Sequence, residues 1–255
     1  GERLAEDGTL DRKDIEQHVV RTDASQSFQT DSYIFKGGER ETWESRFVYH
    51  GFQYVEVTGF PGRPTLDNLL GVFTHTDVPE AGQFECSNPM LNKIWRAARW
   101  AYLSNLQSIP TDCPHREKNG WTGDAHLAAE QGIFNYDAMT VYAKWIQDLA
   151  DEQQPGGEMA AIVPTSGWGY KWGNGPAWDS AYLLIPLYLH QYYGDTRVLT
   201  RHYEGLRKYV DYLTTKATGG IVSIGLNDWA PYKTQTPADI TSTAYYYRDA
   251  QIVSL

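Results

Sequence analysis

Asp112-Cys113-Pro114-His115-Arg116-Glu117-Lys118-Asn119-Gly120-Trp121-Thr122-Gly123-Asp124 is the stretch around which the chain reads. It holds three carboxylates, an arginine and a tryptophan, broken by Pro114, Gly120 and Gly123. Proline and glycine at this density exclude a regular helix or a central strand. The segments on either side have helical periodicity. A polar, acidic, aromatic loop held by helices is where binding or catalytic groups are mounted. The plainer alternative is a solvated helix–helix connection. Thirteen residues is long for that, and solvation does not call for a Trp between two glycines.

Upstream, residues 1–82 read as β structure. Val19–Val20, Tyr33–Phe35, Phe47–Tyr49, Phe52–Val57 and Gly71–His75 are short aromatic and β-branched runs. Phe47/Tyr49 and Phe52/Tyr54 alternate around Gly51 as in a hairpin or bulged strand. The portion is expected to be the end of a sandwich. Thr76–Gly82, with Pro79, reads as the linker.

From residue 83 the period becomes helical. Ser87 is the expected N-cap of a first helix, with Pro89 in its first turn and Leu91, Ile94, Trp95, Ala98, Tyr102 and Leu103 on one face. A second helix starts at Gly123 or Asp124, with Asp124 as its expected N-cap, and runs through Phe134. A third covers Ala138–Gln153, with Val141, Trp145 and Leu149 inward. A long loop, Pro155–Pro176, carries Glu158, Trp168, Tyr170 and Trp172. A fourth helix, Ala177–Tyr193, is apolar nearly all round and so buried. A fifth spans Arg197–Lys216, and Ile221–Ile224 reads as a short strand. After a second aromatic loop, Gly225–Pro237, a sixth helix starts near Thr241 and runs without a cap to Leu255, so a longer chain is expected. Helices joined alternately by long loops rich in Trp and Asp suggest an α/α toroid.

Composition narrows the function. Aromatic residues make up 14% of the chain, with 9 Trp and 18 Tyr, which suits stacking on sugar faces or filling a large core. A net charge of −10 argues against nucleic acid or an anionic membrane as partner. Two cysteines, Cys86 and Cys113, make no disulfide framework, and Cys113 reads as a small packed group. No apolar run is long enough to span a bilayer, and the first residues have no signal-peptide pattern. A water-soluble chain is expected; its compartment and oligomeric state are left open.

Three loops each bring an acid and a tryptophan: Asp112/Glu117/Trp121/Asp124, Trp178-Asp179 and Asp228-Trp229. If they converge, they form an acidic, aromatic pocket fit for a carbohydrate. Paired carboxyls run glycosidic cleavage: one protonates the leaving oxygen, the other activates water or attacks. Glu117, beside two more acids, suits the donor's part. Arg116 is expected to pair with one of the aspartates. Asp112, His115, Glu117 and His126 are the possible metal ligands, but no helical His-to-His spacing such as H-E-x-x-H exists, and neither metal nor other cofactor is expected. No G-x-S-x-G occurs. Trp95 and Trp145 read as core, Glu130 and Asp195 as solvated.

The 112–124 motif resembles the signature of the bacterial and fungal α-L-rhamnosidases of glycoside hydrolase family 78. Phe47–Val57, Phe84–Asn92, Asn105–Pro110, Asp228–Trp229 and Thr243–Tyr247 are similar to that family in the same order. The resemblance covers most of the chain. It implies α and β domains: the C-terminal part of a β-sandwich over 1–82, then the first half of an (α/α)6 barrel over 83–255. It implies hydrolysis of terminal α-L-rhamnose with inversion, no cofactor, and a rhamnose-containing glycoside as partner. By position, Glu117 matches the family's general acid. Asp112, Arg116, Trp121 and Asp124 match residues of the rhamnose subsite, and Trp178 and Trp229 match aromatic positions around the sugar. Two departures stand out. Arg116 and Glu117 are adjacent where some members have one residue more, and Asn227-Asp228-Trp229 stands where Gly-Asp-Trp is common. No residue matches the family's base, a Glu in the second half of the barrel, so these residues alone are expected to be inactive. The competing readings are another (α/α)6 carbohydrate-active enzyme and a non-catalytic rhamnose-binding relic.

Overall fold

The computed structural model describes residues 1–16, 28–165, 167, 169–170 and 172–255. They form two units. One comprises Gly1–His75 with Cys113–Lys118, the other Thr76–Asp112 with Asn119–Leu255.

In the first unit, β1 (Arg3–Leu4) pairs antiparallel with β2 (Leu10–Asp11), Leu4 opposite Leu10. A short helix, α1 (Lys13–Glu16), follows. The Gly1 carbonyl accepts the N–H groups of Gln53 and Tyr54, both at 2.9 Å. The strands expected at Tyr33–Phe35, Phe47–Tyr49, Phe52–Val57 and Gly71–His75 are not formed among the described residues; Val19–Val20 lies outside them. A strand exists only with a ladder partner. Ile34, Phe47, Val55 and Val72 are instead exposed. β propensity measures fitness for a packed pleated surface, and among the described residues the only sheet is the β1–β2 pair. Order comes from side chains. Glu41 accepts the Tyr33 hydroxyl at 2.6 Å and the N–H groups of Lys36, Gly37 and Gly38, which hold its carboxyl down at about 2.

The hairpin or bulged strand expected around Gly51 is not formed among the described residues; close packing accounts for the glycine instead. Gln29 brackets Gly51, accepting its N–H at 2.8 Å and donating to its carbonyl at 2.9 Å. The glycine backbone rests on Pro114 and His115, where a Cβ would lie 2.8 Å from atoms of both.

The second unit is helical. Its elements are α2 (Pro89–Ser104), α3 (Thr122–Asn135), α4 (Met139–Glu152), α5 (Pro176–Asp179), α6 (Ala181–Tyr193), α7 (Arg197–Lys216) and α8 (Ala238–Ser254). The cap of α2 is Asn88, not Ser87; its Oδ1 accepts the Met90 N–H at 2.9 Å. Only Tyr102 of the expected α2 stripe is fully buried, while Leu91 and Ile94 are exposed. Trp95 is half-buried and donates to Asn135 Oδ1 at 2.7 Å. Asp124 is not the cap of α3. That helix begins two residues earlier, because the Thr122 N–H and hydroxyl both go to the Ala161 carbonyl, at 2.9 and 3.0 Å. Asp124 is left exposed in the first turn, where the helix dipole favours an acid.

The single helix expected over 177–193 is two. It breaks at Ser180, whose hydroxyl turns to Asp249. Helix α6 is buried on nearly every side, packed against α3, α4, α7 and α8. Its own Tyr182 is buried with Tyr142, Trp145 and Tyr209 of the neighbouring helices. The strand expected at Ile221–Ile224 is a tight Thr218–Ile221 pairing, followed by Val222 clamped by Thr243. Helix α8 starts at Ala238, ahead of the expected Thr241. Asp195 is buried rather than solvated: it takes the Arg197 guanidinium at 3.0 and 2.8 Å and the Arg197 N–H at 2.8 Å. These bonds hold its carboxyl below the usual range. Glu130, also expected to be solvated, is half-buried and accepts the Tyr192 hydroxyl.

Connections alternate. Residues 136–138 and 194–196 are short turns, whereas 105–121, 153–175 and 217–237 are long loops. In an antiparallel succession of helices this gathers the long loops at one end.

Candidate active site

The long loops do meet. The Val163 N–H donates to the Gly120 carbonyl at 2.9 Å, and Trp121 bridges Ile162. Trp121 is buried with Ala161 and Ile162, with Trp178 and Leu226 packed against them. Trp172 sets its ring edge-on to Trp121, centroids 5.3 Å apart, and Trp229 stands edge-on to Trp172 at 6.2 Å. Trp172 and Trp229 are both exposed. Of the expected aromatic site residues, Trp121, Trp178 and Trp229 are thus brought together. Trp172 joins them unanticipated. It was legible only as one aromatic residue of a long loop, and its neighbour across space is not visible in one dimension. Trp168 lies outside the described residues.

The acids are held individually. Asp112 Oδ1 accepts the Asn119 N–H at 2.8 Å, while the Asp112 N–H donates to the Asn119 carbonyl at 3.0 Å. This closes the loop between them. Asp228 Oδ2 accepts the Thr236 N–H at 2.7 Å. Before it, Asn227 takes a φ of 56°, a left-handed conformation that Asn tolerates better than most non-glycine residues. Its amide donates to the carbonyls of Ile224 and Gly225, at 3.0 and 2.8 Å, and its Oδ1 accepts the Ser242 hydroxyl at 2.5 Å. Asn thus meets the turn requirement at this position. His126 is not placed as a metal ligand: its ring is buried, and Nε2 donates to the Ala177 carbonyl at 2.9 Å. Burial holds its pKa below the usual value.

Arg116 and Glu117 belong to the first unit, the other five candidates to the second. Glu117 is exposed; its N–H donates to the buried Cys113 Sγ at 3.2 Å. The next residue anchors the loop. Lys118 has a φ of 56°, donates Nζ to the Tyr49 carbonyl at 2.5 Å, and lies 4.7 and 5.4 Å from the Tyr49 and Phe28 ring centroids. Lys118→Met keeps the stem but removes the bond and the charge. With Glu117 in the acid's part that the resemblance implies, it is expected to lower turnover of rhamnosides by about tenfold in the full-length protein, as loss of a residue orienting an acid does. Steady-state kinetics beside a folded control check this.

Asp249, buried in α8, accepts the Ser180 hydroxyl at 2.6 Å. Burial raises its pKa well above 3.8, against the pull of Ser180 and Arg248. An acid with a raised folded pKa stabilises fully below its unfolded pKa, and that contribution is lost as pH rises through the folded value. Asp249→Asn, which does not titrate, is therefore expected to raise Tm near neutral pH. The gain should shrink toward about pH 4. Thermal melts across pH test the sign.

The helical unit is thus a succession of helix pairs whose long loops meet in a cluster of indoles. Residues 79–255 match the bacterial alpha-L-rhamnosidase 6 hairpin glycosidase domain, and residues 1–75 match the bacterial alpha-L-rhamnosidase concanavalin-like domain. The chain belongs to the bacterial alpha-L-rhamnosidase family. An alpha-L-rhamnosidase of Streptomyces avermitilis is 37% identical over 88% of this chain and 22% of its own length. The crystal structure of Streptomyces avermitilis alpha-L-rhamnosidase complexed with L-rhamnose superposes with a TM-score of 0.89. It is 35% identical, over 99% of this chain and 24% of that one. The Dictyoglumus thermophilum enzyme gives a TM-score of 0.79 at 46% identity, over 83% of this chain and 24% of its own. The chain thus spans about a quarter of the length of these relatives.

Proposed function

We propose that this chain is the acid-bearing part of an inverting α-L-rhamnosidase. In this reading, 1–82 is the end of a β-sandwich domain and 83–255 the first half of an (α/α)6 barrel. The observation that carries it is the meeting of three long loops in one cluster containing Trp121, Trp178 and Trp229. Indole faces pack on the C–H surface of a sugar, while carboxylates accept from its hydroxyls. Asp112, Arg116, Trp121, Asp124, Trp178 and Trp229 hold the terminal rhamnose. Glu117 donates its proton to the glycosidic oxygen as the bond from C1 breaks. A carboxylate outside these 255 residues takes a proton from water, whose oxygen attacks C1 from the opposite face. Rhamnose leaves as the β anomer, and the aglycone leaves with the proton from Glu117. A complex of a relative with L-rhamnose supports the choice of sugar.

The test is hydrolysis of an aryl α-L-rhamnoside by the full-length protein, with NMR of the anomer first released. Release of the β anomer is expected; the α anomer would refute inversion. A requirement for phosphate, or a different sugar released, would point to another carbohydrate-active enzyme. Rhamnose binding without turnover would point to a binding module. The 255 residues alone are expected to be inactive, and full activity from them would place the base inside the segment.

A further inference from the structure

Two acids lie inside the helical unit and have no part in the chemistry above. Asp179 ends α5 and Asp249 sits within α8; both are at most 1% exposed. Asp179 Oδ2 accepts the Gly175 N–H at 2.7 Å and the Tyr209 hydroxyl at 3.4 Å, and Asp249 Oδ2 accepts the Ser180 hydroxyl. The Oδ1 of each is buried without a hydrogen-bond partner among the described residues. An ionised carboxylate so placed is costly, whereas a protonated one is tolerated. Burial, with Glu158 and Asp249 nearby, raises the Asp179 pKa well above the carboxylate range.

The bonds from these acids lead to the aromatic cluster. Gly175, held by Asp179, starts the four-residue helix that carries Trp178. Its backbone, at a φ of 150°, lies against the next long loop: a Cβ on Gly175 would come 2.8 Å from the Gly225 Cα, and one on Gly225 2.7 Å from the Asn174 carbonyl oxygen. The Gly225 carbonyl in turn accepts from Asn227, two residues before Trp229. On the other side, Asp249 holds Ser180, the corner between α5 and α6.

We propose that Asp179 and Asp249 are positioning residues, which set Trp178 through Gly175 and Ser180 and Trp229 through the Gly175–Gly225 contact. This rests on the sugar-binding role given above to the two indoles. Neither acid touches the sugar. Asparagine matches a protonated aspartic acid in shape and can both donate and accept, so it should replace Asp179 where alanine does not.

The full-length protein is compared with Asp179→Asn, Asp179→Ala and Asp249→Ala. The readouts are KM and kcat on an aryl α-L-rhamnoside and the fluorine resonance of 5-fluorotryptophan at Trp178, identified with Trp178→Phe. Both alanine variants are expected to raise KM about tenfold and to leave kcat within about threefold, as expected when a binding surface is displaced. They should shift the Trp178 resonance, and Asp179→Asn should restore both values. Folded alanine variants with unchanged KM and resonance would overturn the proposal, as would an Asn variant as impaired as Ala. If the alanine variants do not fold, Tyr209→Phe and Ser180→Ala each remove one bond with little change in volume. A smaller change in the same direction is expected, and no change in either readout overturns the idea. If the parent protein cleaves no rhamnoside, the proposed function fails, and the resonance alone decides the positioning claim.

Discussion

Glu117→Gln in the full-length protein is expected to slow cleavage of rhamnosides with poor leaving groups by about a thousandfold, within the range for losing a general acid. The amide has the carboxyl's shape but no proton to give. The effect should depend on the leaving group. An alkyl or sugar alkoxide is too basic to depart without a proton, whereas an activated phenolate departs unaided and should lose far less. Binding of L-rhamnose, measured by calorimetry, should be retained, because the role proposed for Glu117 is at the oxygen beyond the ring. Undiminished cleavage of natural glycosides would remove Glu117 from the acid's role. The exposure of this residue fits the assignment, since the donor has to reach an oxygen shared with the aglycone.

Trp145→Ala is expected to destabilise the helical unit by about 3–5 kcal/mol, the usual cost of emptying a large aromatic site. Trp145 is wholly buried, and its Nε1 donates to the Val163 carbonyl at 3.2 Å. Val163 also donates its N–H to Gly120, next to Trp121. One indole thus props the long loop that carries part of the aromatic cluster. Trp145→Phe separates the contributions. It keeps much of the volume but leaves the carbonyl unpaired, for about 1–3 kcal/mol plus the smaller packing loss. Denaturant midpoints for the two variants should fall in that order. An Ala variant as stable as the parent would mean that the loop does not rest on Trp145.

The helices were legible because their information is local. Arg197–Lys216 is predicted and found with the same ends, since its apolar stripe lies within it and the Gly219-Gly220 stop only a few residues beyond. Ends set by distant groups were not legible. The Ala161 carbonyl starts α3 at Thr122, and Asp249 breaks the helix at Ser180. The aromatic runs of residues 33–75 fit strands in composition, but pairing is a property of two segments, and only one member of each pair can be read in a single run. The meeting of Trp121, Trp178 and Trp229 was legible because Trp stands beside acids in three loops. Trp172 had no acid beside it. Asp179 was visible as an acid beside a loop Trp, yet not as a buried one, because burial is imposed by α7 and α8, which come later in the chain.

The separation of short turns from long loops also offers a place to attach a reporter. Helix α6 runs 13 residues from the Ser180 corner to Gly194, about 20 Å at the rise of an α-helix. Thr196 is exposed in the turn beyond it. A fluorophore there stands a full helix length from the Trp178 end of α6, so its signal can follow the assembly of the helical core while the long-loop end is left untouched.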